Sequence, residues 1–269
     1  MKESTENSLY HFKREKEYFL EIINEFKFTP RYNREYILLN PKDERQAIEM
    51  IIPMVCWCDI PLQRIENHTS RYGEFGIGIT KQWAISNLIN PVFYVIEDTV
   101  LALSINQINT SLIELEELFE SDRELTLKMF NITSKLYPAF DYLNQHIKPY
   151  NYQKKETRQE NRKFYDEKEW RYIPDSMYSE NLIIYPYQYE NGEELLNKID
   201  TSNEKIKIRN LSFKPDDVTI IIIEKESDRN EIEKVIFKVF TQNKFPNYEQ
   251  FLSKIRTIAQ IKEGDFKDE

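Results

Sequence analysis

The chain has 269 residues, a formal net charge of −9 and a sequence pI near 5.2. A nonspecific nucleic-acid-binding protein needs a basic surface, so this acidic balance disfavours that class. No stretch approaches the ~20 apolar residues of a membrane span, and the first residues lack the apolar core of a signal peptide. The composition therefore predicts a cytoplasmic protein with no membrane partner.

The first hundred residues predict short strands separated by helices. Residues 8–12 predict a strand, and apolar positions between 18 and 26 recur at helical spacing. Residues 31–43 are polar and predict irregular structure, and residues 44–52 predict a second short helix. Residues 92–96 form an apolar run that predicts a buried strand.

Residues 53–83 hold both cysteines and three of the five glycines of the chain. This stretch predicts a strand from Met54, a turn at residues 59–61, a short helix to Tyr72 and a strand over residues 75–80. Alternation along the last strand places Phe75 on one face and Gly76 and Gly78 on the other. Glycines at those two positions would open that face to a neighbouring backbone or a ligand.

The rest of the chain predicts a helical segment followed by more strands. Residues 98–148 have helical spacing and predict a helical insertion or subdomain, while residues 168–173 and 218–223 predict strands. Two helices are expected after the second of these strands, at about 228–240 and 248–261. Strands early and late with helices between them favour a single α+β domain over residues 1–269, with one mixed sheet and flanking helices. The strands of that sheet are expected to carry His11, Val55, Ile77, Phe93, Trp170 and Ile221.

Standard catalytic and cofactor motifs are absent from the sequence. There is no phosphate-binding Gly-x-x-x-x-Gly-Lys-Ser/Thr loop, no His-Glu-x-x-His and no Gly-x-Ser-x-Gly. Cys56, Cys58 and one histidine supply too few ligands for a zinc site, so no metal is predicted and both thiols are expected to be reduced. The mixed-charge segment 150–163 is consistent with either a solvated loop or a phosphate-contacting one.

Three polar residues remain as candidates for a site. His11 lies in an otherwise apolar strand, where a histidine satisfied within the core is the commoner finding. His68 shares a helical face with Ile65 and Tyr72, where half-buried packing is again the commoner finding. Glu169 lies on the same side of its strand as Arg171, and the simplest explanation is an ion pair on a solvated face.

Several sequence blocks together resemble the AbiGi family of abortive-infection phage-resistance proteins. The blocks are Leu-Tyr-His-Phe near the N-terminus, Pro-Met-Val-Cys-Trp-Cys-Asp-Ile-Pro-Leu, Arg-Tyr-Gly-Glu-Phe-Gly-Ile-Gly-Ile-Thr-Lys-Gln-Trp, and Glu-Lys-Glu-Trp-Arg-Tyr-Ile-Pro. The similarity spans about residues 8–240 and is sharpest in 53–96 and 166–174. It implies a role in phage defence as the antitoxin of a two-gene toxin–antitoxin system, with a toxin protein as partner.

A second similarity concerns ADP-ribosyltransferase-like folds. Their order is a histidine in the first strand, an aromatic residue on a middle element and a glutamate in a late strand. The resemblance implies that His11 contacts the ribose of NAD, that Tyr72 or Phe75 packs on nicotinamide, and that Glu169 stabilises the developing cation. Gly76 and Gly78 would then let the planar ring lie against backbone. The sequence leaves two hypotheses, a partner-binding antitoxin and an NAD-using transferase, and a cleft shared by His11, Tyr72 and Glu169 would favour the second.

Overall fold

The computed structural model describes residues 7–37, 48–121, 123–152, 162–174 and 182–264. It has a mixed α+β fold, which confirms the predicted class. The strands are β1 (Ser8–Lys13), β2 (Lys27–Phe28), β3 (Arg31–Ile37), β4 (Ile48–Cys58), β5 (Phe75–Thr80), β6 (Asn90–Pro91), β7 (Phe93–Val95), β8 (Ile147–Pro149), β9 (Asn151–Tyr152), β10 (Arg162–Lys163), β11 (Glu169–Tyr172), β12 (Leu211–Ser212), β13 (Val218–Ile223) and β14 (Ile255–Thr257). The helices are α1 (Lys16–Glu25), α2 (Glu66–Tyr72), α3 (Lys81–Ser86), α4 (Val100–Ser121), α5 (Arg123–Asn144), α6 (Gly192–Ile206), α7 (Arg229–Asn243), α8 (Tyr248–Leu252) and α9 (Ile258–Lys262).

Within the described residues, the main sheet has eight strands. Seven run in the order β14-β13-β5-β1-β4-β11-β6, and β3 pairs with the first half of β4. The β13–β14 pair is parallel and the other pairs of this sheet are antiparallel, so the sheet is mixed. The pairs β7–β8, β9–β10 and β2–β12 form three separate two-stranded sheets.

Five of the six strands expected in one sheet lie in it, and the sixth does not. His11, Val55, Ile77, Trp170 and Ile221 belong to β1, β4, β5, β11 and β13 of the main sheet. The prediction for Phe93 was wrong, because β7 pairs in parallel with β8. The chain leaves the main sheet at this point: the N–H of Val92 donates to Glu169, and the N–H of Phe93 donates to His146.

The strand β13, second from one edge of the main sheet, is covered on both faces, as its β-branched sequence predicts. Ile221 and Ile223 are fully buried in the largest core, which also contains residues of α1 and α7. Ile220 and Ile222 face a second core that includes Ile258 of α9. The sheet therefore lies between layers of helices.

Two predicted helices were wrong because strand pairing overrides their local spacing. Residues 48–52 of the helix expected at 44–52 belong to β4, where they pair with residues 33–37 of β3, and residues 38–47 lie outside the described part of the chain. The helix expected at 248–261 is interrupted by Ile255–Thr257, which pairs in parallel with β13.

The predicted helical segment is present as α4 and α5, each of 22 residues. The first turns of α4 pack against the sheet through Ala102 and Ile105, which share a core with Met50 and Ile52 of β4. The hairpin is tied together by Tyr137, whose hydroxyl donates to the carbonyl of Leu112. None of the helices in the described ranges is both long and apolar enough to cross a membrane.

Candidate functional site

A cleft of about 590 Å³ opens beside the middle of β4. β4 pairs with β3 over Ile48–Met54 and with β1 at Cys58, so residues 55–57 pair with β11 but with neither β3 nor β1. The cleft lies at this split in the sheet. Its walls come from β1, β3, β4, α2, β8 and β11, with the short 3₁₀ helix Phe164–Glu167.

The side chain of His11 connects β1 to β4 where the backbones of the two strands are not paired. Its Nδ1 lies 2.7 Å from the carbonyl oxygen of Cys56, which only accepts, so Nδ1 carries the hydrogen and Nε2 is the acceptor. An edge contact with Phe28 and a tilted contact with the ring of Trp57 hold the imidazole. Burial, with a smaller contribution from the charge of Lys13, lowers the pKa of His11 from 6.5 to about 3, so the ring is neutral at pH 7.

Glu169 is the centre of a buried ion network at another wall of the cleft. Its Oε1 lies 2.5 Å from Nε of Arg171 and its Oε2 lies 2.5 Å from Nζ of Lys148. Lys148 also pairs with Glu167 at 2.7 Å, and Arg171 pairs with Glu35 at 2.9 Å. The predicted ion pair between Glu169 and Arg171 is present. The prediction that this pair lies on a solvated face was wrong, because Arg171 is 1% exposed and Glu169 is 6% exposed.

The network fixes the protonation states of its members. Burial alone would raise the pKa of Glu169, but the charges of Arg171 and Lys148 outweigh it and hold that pKa well below its usual range. Burial likewise opposes the charge of Lys148, yet the nearby carboxylates, led by Glu169, keep its pKa above the usual value. All three groups are therefore charged at neutral pH.

The two cysteines line the cleft as free thiols. They are two residues apart on β4 and therefore point to the same face. Burial raises the pKa of Cys56, and the neighbouring carboxylate of Glu169 raises it further. Cys58 donates its S–H to the carbonyl of Tyr10 at 3.4 Å. High thiol pKa values mean that neither cysteine is an activated nucleophile at neutral pH.

Tyr72 lies at the cleft together with His68, and the two rings are 5.6 Å apart. Tyr72 is 37% exposed, whereas His68 is 8% exposed. His11, Tyr72 and Glu169, the three predicted catalytic residues, thus line the same cleft.

Of the residues predicted to bind the cofactor, only His11, the predicted ribose contact, lines the cleft; Phe75, Gly76 and Gly78 do not. Phe75 is buried in the main core, with its ring 5.7 Å from that of Phe19. The space beside Gly76 is filled by Phe12, and a Cβ on Gly78 would lie 2.6 Å from Ile220. These glycines admit neighbouring side chains of the sheet, and neither belongs to the residues that line the cleft.

Sequence reasoning missed Lys148 and Glu35. Lys148 ends the helical segment and Glu35 lies in a stretch predicted as irregular, so neither belonged to a strand expected near Glu169. The one available signal was Glu167 and Glu169 on both sides of Lys168, because two buried carboxylates require nearby cations.

No group of three or more His, Cys, Asp or Glu residues in the described ranges is arranged to hold a metal ion. Of the segment 150–163, residues 153–161 lie outside those ranges.

Comparisons with known proteins place this fold in a family. A family model described as "Putative abortive phage resistance protein AbiGi, antitoxin" matches residues 26–224, about three quarters of the chain. The chain belongs to the AbiGi family. An abortive phage resistance protein AbiGi of Lactococcus lactis subsp. cremoris is 28% identical over 251 residues, which cover 88% of this chain and 98% of that protein. No solved structure matches the chain. Membership of the AbiGi family confirms the first of the two resemblances seen in the sequence.

Proposed function

We propose that this AbiGi-family protein is the antitoxin of a two-gene abortive-infection system and acts in the cytoplasm by binding a toxin protein. The observation that carries the proposal is the family match over residues 26–224, which covers the ion network, most of the sheet and all walls of the cleft except β1. The state of Glu169 supports it, because both carboxylate oxygens are occupied by cations of the chain itself. A fully paired, buried carboxylate is typical of a residue that holds a fold together.

Co-expression with the neighbouring gene tests the proposal. The adjacent gene, which this proposal expects to encode the toxin, is induced alone, with the wild-type chain, and with a variant carrying Ile221→Asp, which buries a carboxylate in the largest core. We expect growth arrest with the toxin alone, growth with the wild-type chain and arrest with the variant. Equal growth in all three cultures, or arrest despite abundant wild-type chain, overturns the antitoxin role.

A second candidate function is an ADP-ribosyltransferase-like reaction that uses NAD, and the shared cleft is the observation that favours it. His11 presents a neutral acceptor nitrogen that suits a ribose hydroxyl, and Tyr72 offers an exposed ring. Lys13, Arg31 and Arg34 line the cleft as well and carry charges that suit a diphosphate. Glu169 would stabilise positive charge at the anomeric carbon as the bond to nicotinamide breaks.

Nicotinamide release separates the two functions. If the protein is a transferase, Glu169→Gln lowers turnover by on the order of 100-fold, the effect of losing one electrostatic contact in a transition state. Glu167→Gln is the matched control, because Glu167 pairs with the same Lys148 but is not assigned to the reaction. No nicotinamide release by the wild-type protein, alone or with extract of infected cells, excludes the second candidate.

A further inference from the structure

The outer surface of the α4–α5 hairpin carries apolar side chains at the spacing of a helix-packing seam. On α5 these are Ile132, Leu136, Ala139 and Leu143, separated by four, three and four residues. Such spacing places all four on one stripe of the helix. Ile132 is 56% exposed, Leu136 is 40% exposed and Leu143 is 48% exposed. We call these four residues the α5 stripe.

The α5 stripe is not the surface that joins α5 to α4. That contact uses a different face, on which Thr133 is buried and Tyr137 donates to the carbonyl of Leu112. Asn144, on the same inner face, donates from Nδ2 to Oδ1 of Asn109 at 2.9 Å. The hairpin is therefore complete without the α5 stripe.

The adjacent helix repeats the pattern. On α4, Leu101 and Ile108 are 45% and 44% exposed, and they are seven residues apart on one face. Residues 100–113 contain no charged residue. Monomeric proteins rarely leave such contiguous apolar helix surface in water.

The sequence at the end of α4 and the start of α5 indicates what covers this surface. Residues 114–121 and 123–128 contain five acidic residues and two basic ones. A second copy of this chain would bring the same acidic segment and a net charge of −9, which opposes association. A partner with basic residues beside an apolar surface is complementary to the apolar faces of α4 and α5 and to the acidic segment next to them.

We propose that the α5 stripe and the neighbouring face of α4 are the docking surface for the toxin, and that the toxin contributes an apolar helix bordered by basic residues. This inference rests on the antitoxin function proposed above and assigns that function to a surface outside the cleft. Helix-in-groove docking uses anchors at this spacing.

Binding of the purified toxin from the neighbouring gene, measured by calorimetry, tests the inference. Leu136→Glu and, separately, Ile132→Glu are expected to weaken binding at least 30-fold, roughly the loss at one interface hot spot. Both side chains are exposed, so thermal melting is expected to match the wild-type protein. Ile208→Glu is the matched control, because Ile208 is an 83% exposed isoleucine on another element, and it should leave affinity unchanged. Glu114→Lys should weaken binding less, and raised salt should weaken wild-type binding.

Each outcome separates the surface from the function. Tight binding that survives both stripe variants overturns the docking surface and leaves the antitoxin role in place. Absence of binding by the wild-type chain overturns the antitoxin role and, with it, this inference. Sedimentation of the wild-type chain as a dimer that the stripe variants convert to monomers, with toxin binding unaltered, assigns the surface to a second copy and overturns the proposal.

Discussion

Nζ of Lys148 lies 2.5 Å from the carboxylate of Glu169, and both groups are more than 90% buried. Lys148 enters from β8, outside the main sheet, whereas Glu169 lies on β11 within it. The ion pair therefore joins β8, which follows α5, to the wall of the cleft formed by β11. Removing one member of a buried pair leaves the other charge uncompensated, which costs more than the intact pair contributes.

Glu169→Gln is expected to destabilise the fold by on the order of 3 kcal/mol at pH 7, because Arg171 and Lys148 each lose a charged partner in a buried site. Urea denaturation measures the change. Glu226→Gln is the control, since Glu226 forms an exposed pair with Arg229 and its loss should cost less than about 1 kcal/mol. Equal stability of the two variants would show that the network contributes little.

Lys148→Met is expected to destabilise the fold, by an amount that shrinks as the pH falls. Without the lysine, Glu169 keeps Arg171 but loses its second cation while it stays buried, so its pKa in the folded state is expected to rise above the unfolded value. The folded state then binds protons more tightly than the unfolded state, and protonation stabilises it. The deficit relative to the wild-type protein should be larger at pH 7.5 than at pH 5. A deficit independent of pH would contradict the assignment.

His11 is expected to make the wild-type fold less stable in mild acid. Its pKa is lowered from 6.5 to about 3 by burial, so between these values the unfolded state binds a proton that the folded state does not. Stability should fall by up to about 1.4 kcal/mol per pH unit as the pH drops below 6.5. Burial also lowers the pKa of His146, which adds in the same direction. His11→Gln should reduce the slope measured between pH 6.5 and 4.5, and an unchanged slope would contradict the buried neutral ring.

Gly78→Ala is expected to destabilise the sheet by about 1–3 kcal/mol, because the new Cβ would lie 2.6 Å from Ile220 and Thr219. Gly192→Ala is the matched control, since no atom lies within 4 Å of that position. Thermal melting of both variants measures the difference. If Gly78→Ala melts with the wild-type protein, the close packing described for β5 and β13 is incorrect.

The strands that could be predicted well are those whose own short sequence carries the pattern of a strand buried on both faces. The run of β-branched residues in β13 and the alternating strand β5 carry their pattern within six residues each. Residues 48–52 were misassigned because they form a strand only by pairing with β3, and their own sequence does not reveal that partner. Ile255–Thr257 follows the same rule, since its strand exists only through β13.

The candidate site was predicted in part. His11, Tyr72 and Glu169 could be named from their residue types and order, and all three line the cleft. The partners of Glu169 could not be named, because Lys148 is 21 positions away and Glu35 is 134 positions away in the chain. Only the fold brings these charges together, and only their burial shows that the carboxylate is already paired.

Depletion of this chain in uninfected cells tests whether it acts as an antitoxin. The chain is fused to an inducible degradation tag in one strain that carries the neighbouring toxin gene and in another that lacks it, and colony counts are followed after depletion. The antitoxin account predicts loss of viability only where the toxin gene is present. Full viability after depletion in both strains, with the toxin shown to be expressed, would contradict the account.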